Sequence, residues 1–143
     1  MNLLKVILLT FFIMFLSEAH ANNVKANHLL TVEQFVASFN AQDSATMAGF
    51  VAEDVEWLSI NGQQVTVEAK GKGSLIISMN SYFKSCSTCR SKLENVISTS
   101  GRVSAVEIAS WQGKSGLKSQ RALAVYEFSG DKIKRVYYFP AEK

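Results

Sequence analysis

The stretch Val55-Glu56-Trp57-Leu58-Ser59-Ile60-Asn61-Gly62, followed by Gln64 to Ala69, decides the fold. Val55, Trp57 and Ser59 alternate with Glu56, Leu58 and Ile60, the period-two pattern of a strand. Asn61-Gly62 is a strong hairpin signal, so Gln64 to Ala69 returns as the second strand. Upstream the period is helical. Thr31 and Gln34 form a capping-box pair that opens a helix, and Val32, Phe35, Val36 and Phe39 make one apolar stripe. Asn22 to His28 reads as a loose polar lead-in. Asp43 or Ser44 caps a short second helix whose Met47, Phe50 and Val51 share a face.

Downstream, Gly71-Lys72-Gly73 breaks the hairpin and a third helix follows, with Leu75, Ile76, Met79, Tyr82 and Phe83 on one side. Four strands complete the chain, roughly Ser91–Ser98, Val103–Gln112, Ser119–Ser129 and Lys132–Phe139. Gly101, Gly113 with Gly116, and Gly130-Asp131 turn between them. Helices segregated from antiparallel strands define an α+β fold.

The chain has 143 residues, 48% of them hydrophobic, a single proline and a formal charge of +3. Such a length fits one domain, and the composition excludes disordered and collagen-like classes. Residues 1–21 hold 15 of the apolar residues: Lys5, then a run from Val6 to Leu16 broken only by Thr10, then Ser17 and Ala19-His20-Ala21. A basic start, a short apolar run and a small-x-small site describe a signal peptide. The run is shorter than the ~20 residues of a membrane span. The expected mature protein is therefore Asn22 to Lys143, one domain, exported to a periplasm or the medium and not inserted in a membrane. Basic residues are scattered rather than striped among base-stacking aromatics, so nucleic acid is not an expected partner.

Cys86 and Cys89, at the end of the third helix, are expected to form a disulfide in an exported chain. A thioredoxin-like role needs a βαβ context that is missing, and zinc needs two further ligands where His28 is the only histidine after the leader. No metal or cofactor is expected. In the strand Ser119–Ser129, Ala122, Ala124, Tyr126 and Phe128 lie on one face, while Leu123 and Val125 lie on the other. A strand apolar on both faces is covered on both. Helices cover one, and a second copy of the chain is expected to cover the other.

With these elements in place, the chain resembles the nuclear transport factor 2-like superfamily, in its SnoaL-like and ketosteroid-isomerase-like branches. The resemblance is carried by Phe35 to Asp43, by Phe50 to Trp57, by Gly71-Lys72-Gly73 and by Gly130-Asp131-Lys132-Ile133. It implies a cone: a strongly bent sheet wrapped around three helices, an apolar pocket at the open end, and dimerisation through the outer sheet face. The superfamily includes isomerases, cyclases, dehydratases and non-catalytic modules, so fold alone does not choose a function. Steroid isomerisation in that superfamily needs a tyrosine, a carboxylate base and a protonated aspartic acid. The resemblance puts Phe35, Ser59 and Ala124 at those positions, and none supplies the chemistry.

Candidate pocket residues are Trp57, Ser59, Tyr82, Glu107, Gln120, Tyr126 and Tyr138. Glu107 shares parity with Ala105, Ala109 and Trp111 in an apolar strand. If that face lines the pocket, desolvation raises its pKa and makes it an acid or base; if not, it meets solvent or a basic group across the dimer. Trp57, Tyr126 and Tyr138 read first as wall or core aromatics. Ser59 lacks a histidine for a nucleophilic triad. Three functions follow: an exported dimer binding a small, largely apolar molecule; an isomerase, cyclase or dehydratase using Glu107 and tyrosines; or an assembly module with a filled cone. A deep cavity with converging polar groups and a raised carboxylate favours the enzyme, an apolar cavity with one or two polar groups favours binding, and a collapsed one favours assembly.

Overall fold

Neither glycine nor proline occurs before Gly49, so nothing in the first 48 residues forces a helix to stop. In the computed structural model, which describes residues 3–140, α1 accordingly spans Leu3–Asn40 without interruption. Helix therefore begins well before Thr31, contrary to the capping-box expectation. The Thr31 hydroxyl donates to the Asn27 carbonyl one turn back, at 3.0 Å, and caps nothing. Asn22–His28 is not a loose lead-in either. His28 is buried, stacks on Phe128 with ring centroids 3.9 Å apart, and donates from Nε2 to the Gly130 carbonyl at 2.9 Å. It extends the stripe of Val32 and Phe35 by one turn. The proposed leader junction at Ala21 falls within α1. Met1, Asn2 and the side chains of the apolar run Val6 to Leu16 lie outside the described residues. Among the described residues no helix is long and apolar enough to cross a membrane.

Gln42, at φ 57°, ends α1 in the left-handed conformation, and the Asp43 N–H returns to the Ser38 carbonyl at 3.0 Å. Asp43 then caps α2 (Ser44–Ala48), accepting from the Thr46 N–H at 2.9 Å. Phe50 and Val51 do not belong to that helix. Strand β1 spans Val51–Asn61, because Val51 pairs with Ile133, a partner 82 residues away that no local pattern reveals. The hairpin turn lies over Gly62-Gln63, with Gly62 at φ 60°, and leads into β2 (Gln64–Lys70). Helix α3 spans Lys72–Ser85. Strands β3 (Arg90–Ser98), β4 (Arg102–Gly113), β5 (Gly116–Ser129) and β6 (Lys132–Phe139) follow as a meander.

The six strands form one sheet in the order β2-β1-β6-β5-β4-β3. The pair β1–β6 is parallel and all others are antiparallel, so the sheet is mixed rather than purely antiparallel as expected. Register breaks at Trp57/Leu58, Glu94/Ile97 and Glu127/Phe128 bend the strands, as bulges do. The resulting concave face wraps α1 and α3. Phe35, Met47, Leu75, Tyr126, Ile133 and Val136 form the centre of the buried core between the two layers. Cys86 and Cys89 are joined by a disulfide just past the end of α3.

Candidate functional site

Helical and strand periodicity bring the site together. Phe35 and Phe39 on α1, and Leu75, Met79 and Tyr82 on α3, each repeat at helical spacing toward the sheet. Trp57 and Ser59 on β1, and Glu107, Ala109 and Trp111 on β4, repeat at strand spacing toward the helices. Together with Gln120 and Tyr126 from β5 and Tyr138 from β6 they enclose a cavity of about 660 Å³, within the usual size range of small-molecule sites.

All seven sequence-derived candidates line this cavity. Trp57, Tyr126 and Tyr138 serve as wall. Tyr82 and Gln120 sit at its more exposed side. Ser59 is partly buried in the wall. Phe35 also lines it, whereas Ala124 is completely buried between Ala105 and Tyr138 in the sheet and does not reach the cavity. Sequence reading missed Phe39, Met79, Ser91 and both cysteines as cavity residues. The helical stripes held the signal for the first two; Ser91 had none.

Glu107 is the polar centre. Ser91 Oγ donates a short hydrogen bond to its Oε1, and the Tyr126 hydroxyl donates to its Oε2 at 3.1 Å. Burial pushes the carboxyl above the ordinary 4.5, and the two hydroxyl donors pull partly the other way. Desolvation outweighs them because neither donor carries a charge. The tyrosines respond in turn. Tyr138 is pushed up to about 12, first by burial and then by the Glu107 charge. Tyr82 is raised by the same two causes, while its hydroxyl donates to Cys89 Sγ at 3.2 Å. Tyr126, fully enclosed, is raised further still, chiefly by burial. Each phenol therefore keeps its proton at neutral pH; Tyr126 gives its own to Glu107 and Tyr82 its own to Cys89 Sγ, while Tyr138 also lines the cavity. Among the described residues no cluster of three or more metal-ligating side chains occurs.

A raised carboxyl in the folded state holds its proton more tightly than in the unfolded chain. Its contribution to stability is fully present below pH 4.5, the ordinary value, and is lost as pH rises through the folded pKa. Glu107→Gln removes that loss. The variant is expected to match the wild type near pH 4 and to exceed it by about 1 kcal/mol at pH 8, the scale of a site group exchanged for a neutral isostere. Thermal unfolding at the two pH values measures this.

Ser91 is itself held from behind. The Asn40 side chain accepts from the Ser91 N–H at 2.7 Å and donates to its carbonyl at 2.8 Å. One amide at the end of α1 thus satisfies both backbone groups of an edge-strand residue. Asn40→Leu leaves two largely buried backbone groups unpaired and is expected to cost about 2–4 kcal/mol in urea unfolding.

The chain matches the SnoaL-like domain over residues 32–136 and belongs to that family. It shares the nuclear transport factor 2-like fold with solved structures of that class. Bal32a, from a soil-derived mobile gene cassette, superposes with a TM-score of 0.69 at 17% identity, over 80% of this chain and 89% of its own. An uncharacterised cystatin-fold protein of Novosphingobium aromaticivorans gives 0.68 at 22% identity, over 78% and 96%. A polyketide cyclase candidate of Xanthomonas campestris gives 0.58 at 19% identity, over 82% and 93%. At these identities the likeness is one of fold. No curated protein matches the chain.

Proposed function

We propose that this SnoaL-like protein is exported as Asn22–Lys143 and, as a homodimer, holds a small, largely apolar molecule in its cone, with Glu107 as the polar anchor. The observation that carries the reading is the open cavity of about 660 Å³, rich in aromatic side chains, with the inner carboxylate Glu107 and its two hydroxyl donors in the wall. A protein that used its cone only as packing would fill it, since interiors otherwise close around voids of this size. The intramolecular disulfide agrees with an oxidising destination.

A second reading, catalysis, is favoured by one specific observation: Glu107 is a desolvated carboxyl with a raised pKa, beside phenols that remain protonated. That is the equipment for moving a proton from a carbon next to a carbonyl to the carboxylate, while a phenol donates to the oxygen that gains charge. The likeness to a polyketide cyclase candidate points the same way. Binding is common to both readings, and catalysis adds one proton transfer.

Native mass spectrometry of protein purified from its source tests the proposal. The expected species is a dimer of chains that begin at Asn22, each carrying one disulfide and a small non-covalent ligand. Empty monomers that retain residues 1–21 would contradict it.

A further inference from the structure

Glu107 differs from the other well-partnered carboxylates in this fold. Glu53, Asp54, Glu56, Glu94 and Glu127 each face a lysine or arginine. Glu107 meets only the hydroxyls of Ser91 and Tyr126 among the described residues. Among the described residues no lysine, arginine or histidine lines the cavity around it, and the other carboxylate on its wall, Glu68, is exposed. An ionised carboxylate has about four lone-pair positions, of which the two hydroxyls occupy two. The remaining positions meet no donor among the described residues. Phe35, Phe39, Trp57, Tyr82 and Tyr138 line the same cavity, and aromatic faces attract cations when water is excluded.

We infer that the cavity selects a protonated amine: a small organic cation on an aromatic or alicyclic body, whose ammonium group supplies the donors and the counter-charge that Glu107 lacks. The inference rests on the binding reading above and specifies its ligand class. An anionic ligand would bring a second negative charge beside Glu107 with no cation to compensate either. A neutral ligand supplies no counter-charge for the ionised carboxylate, the form that burial disfavours, whereas an ammonium favours it. The apolar body fills the space between α1, α3 and the sheet, and the charged end sets its orientation. Both donors to Glu107 stay in place, so no rearrangement of the site is required.

Three probes of matched size separate the possibilities: 2-(1-naphthyl)ethylamine, 2-(1-naphthyl)ethanol and 1-naphthylacetic acid. Each is titrated by calorimetry into the full-length mature protein at pH 7. The amine is expected to bind at least about tenfold tighter than the alcohol, as a charge-assisted hydrogen bond exceeds a neutral one, and the acid more weakly than both. In Glu107→Gln the amine is expected to lose its advantage over the alcohol, the two affinities falling within about threefold of each other. An alcohol that binds as tightly as the amine would overturn the inference and leave the ligand-binding reading standing. An amine preference that survives Glu107→Gln would overturn it as well. Failure of all three probes to bind would overturn the binding reading, and the inference with it. The wild-type ranking needs no variant, so it stands even if the substitution disturbs folding.

Discussion

Tyr126→Ala is expected to destabilise the protein by about 3–5 kcal/mol, the range for removing a buried aromatic side chain, out of a typical total of about 5–15 kcal/mol. Tyr126 is 1% exposed and meets Phe35 edge-on at a centroid distance of 6.2 Å. It therefore joins the sheet to α1 at the centre of the core. The same side chain is also a donor to Glu107, so two effects are mixed in the alanine variant. Tyr126→Phe separates them. It keeps the ring and its packing but deletes the hydroxyl, which is expected to cost about 1.5–3 kcal/mol at pH high enough to ionise Glu107, the value of a hydrogen bond to a charged group. Its cost should shrink toward pH 4, where Glu107 is protonated and needs the donor less. Urea unfolding at both pH values gives the two numbers. A phenylalanine variant whose cost is unchanged by pH would show that the hydroxyl is not serving an ionised Glu107.

The second large effect concerns the outer face of the sheet. Register places Val106, Leu123 and Phe139 side by side across β4, β5 and β6. A second row, Leu58, Tyr137 and Val125, runs beside it through β1. Leu123 is 46% exposed in a single chain, and Arg135, Glu127, Arg102, Glu94 and Arg121 form ion pairs around this apolar area. An apolar centre with a charged rim is the anatomy of a protein interface, and the proposed occupant is a second copy. Leu123→Arg puts an unpaired charge at its centre. Burying it costs at least about 3 kcal/mol, a hundredfold or more in dimer dissociation. Because Leu123 contributes little to the single chain's core, stability of the monomer should change by only about 0.5 kcal/mol. Sedimentation should show a wild-type dimer and a variant monomer that melts normally. A wild-type monomer at micromolar concentration would remove the interface from the account.

Local patterns carried much of this molecule. The alternation around Val55 and the Asn61-Gly62 pair located the hairpin, and Lys132–Phe139 was legible to the residue. The parity of Glu107 with Ala109 and Trp111 was also readable, because β4 keeps its register with β5 along its whole length. What remained hidden depends on distant partners. Thr31 and Gln34 form a plausible cap, yet a hydroxyl that finds the Asn27 carbonyl leaves the helix free to continue. Val51 joins a strand only because Ile133 lies beside it. Ser91 reaches Glu107 through a β3–β4 pairing interrupted at Glu94/Ile97, and Asn40 reaches Ser91 across fifty residues of chain. The site's supporting hydrogen bonds are thus tertiary, although its aromatic walls are periodic and visible.

The central claim is that the cone is a binding cavity, and one titration tests it most directly. The neutral probe 2-(1-naphthyl)ethanol is titrated into the wild type and into Ser59→Trp, where a large ring grows from the cavity wall into its space. Saturable binding of one molecule per chain is expected, weakened at least about tenfold in the variant by loss of the space itself. Absence of saturable binding, or equal binding to a normally folded Ser59→Trp, would contradict it.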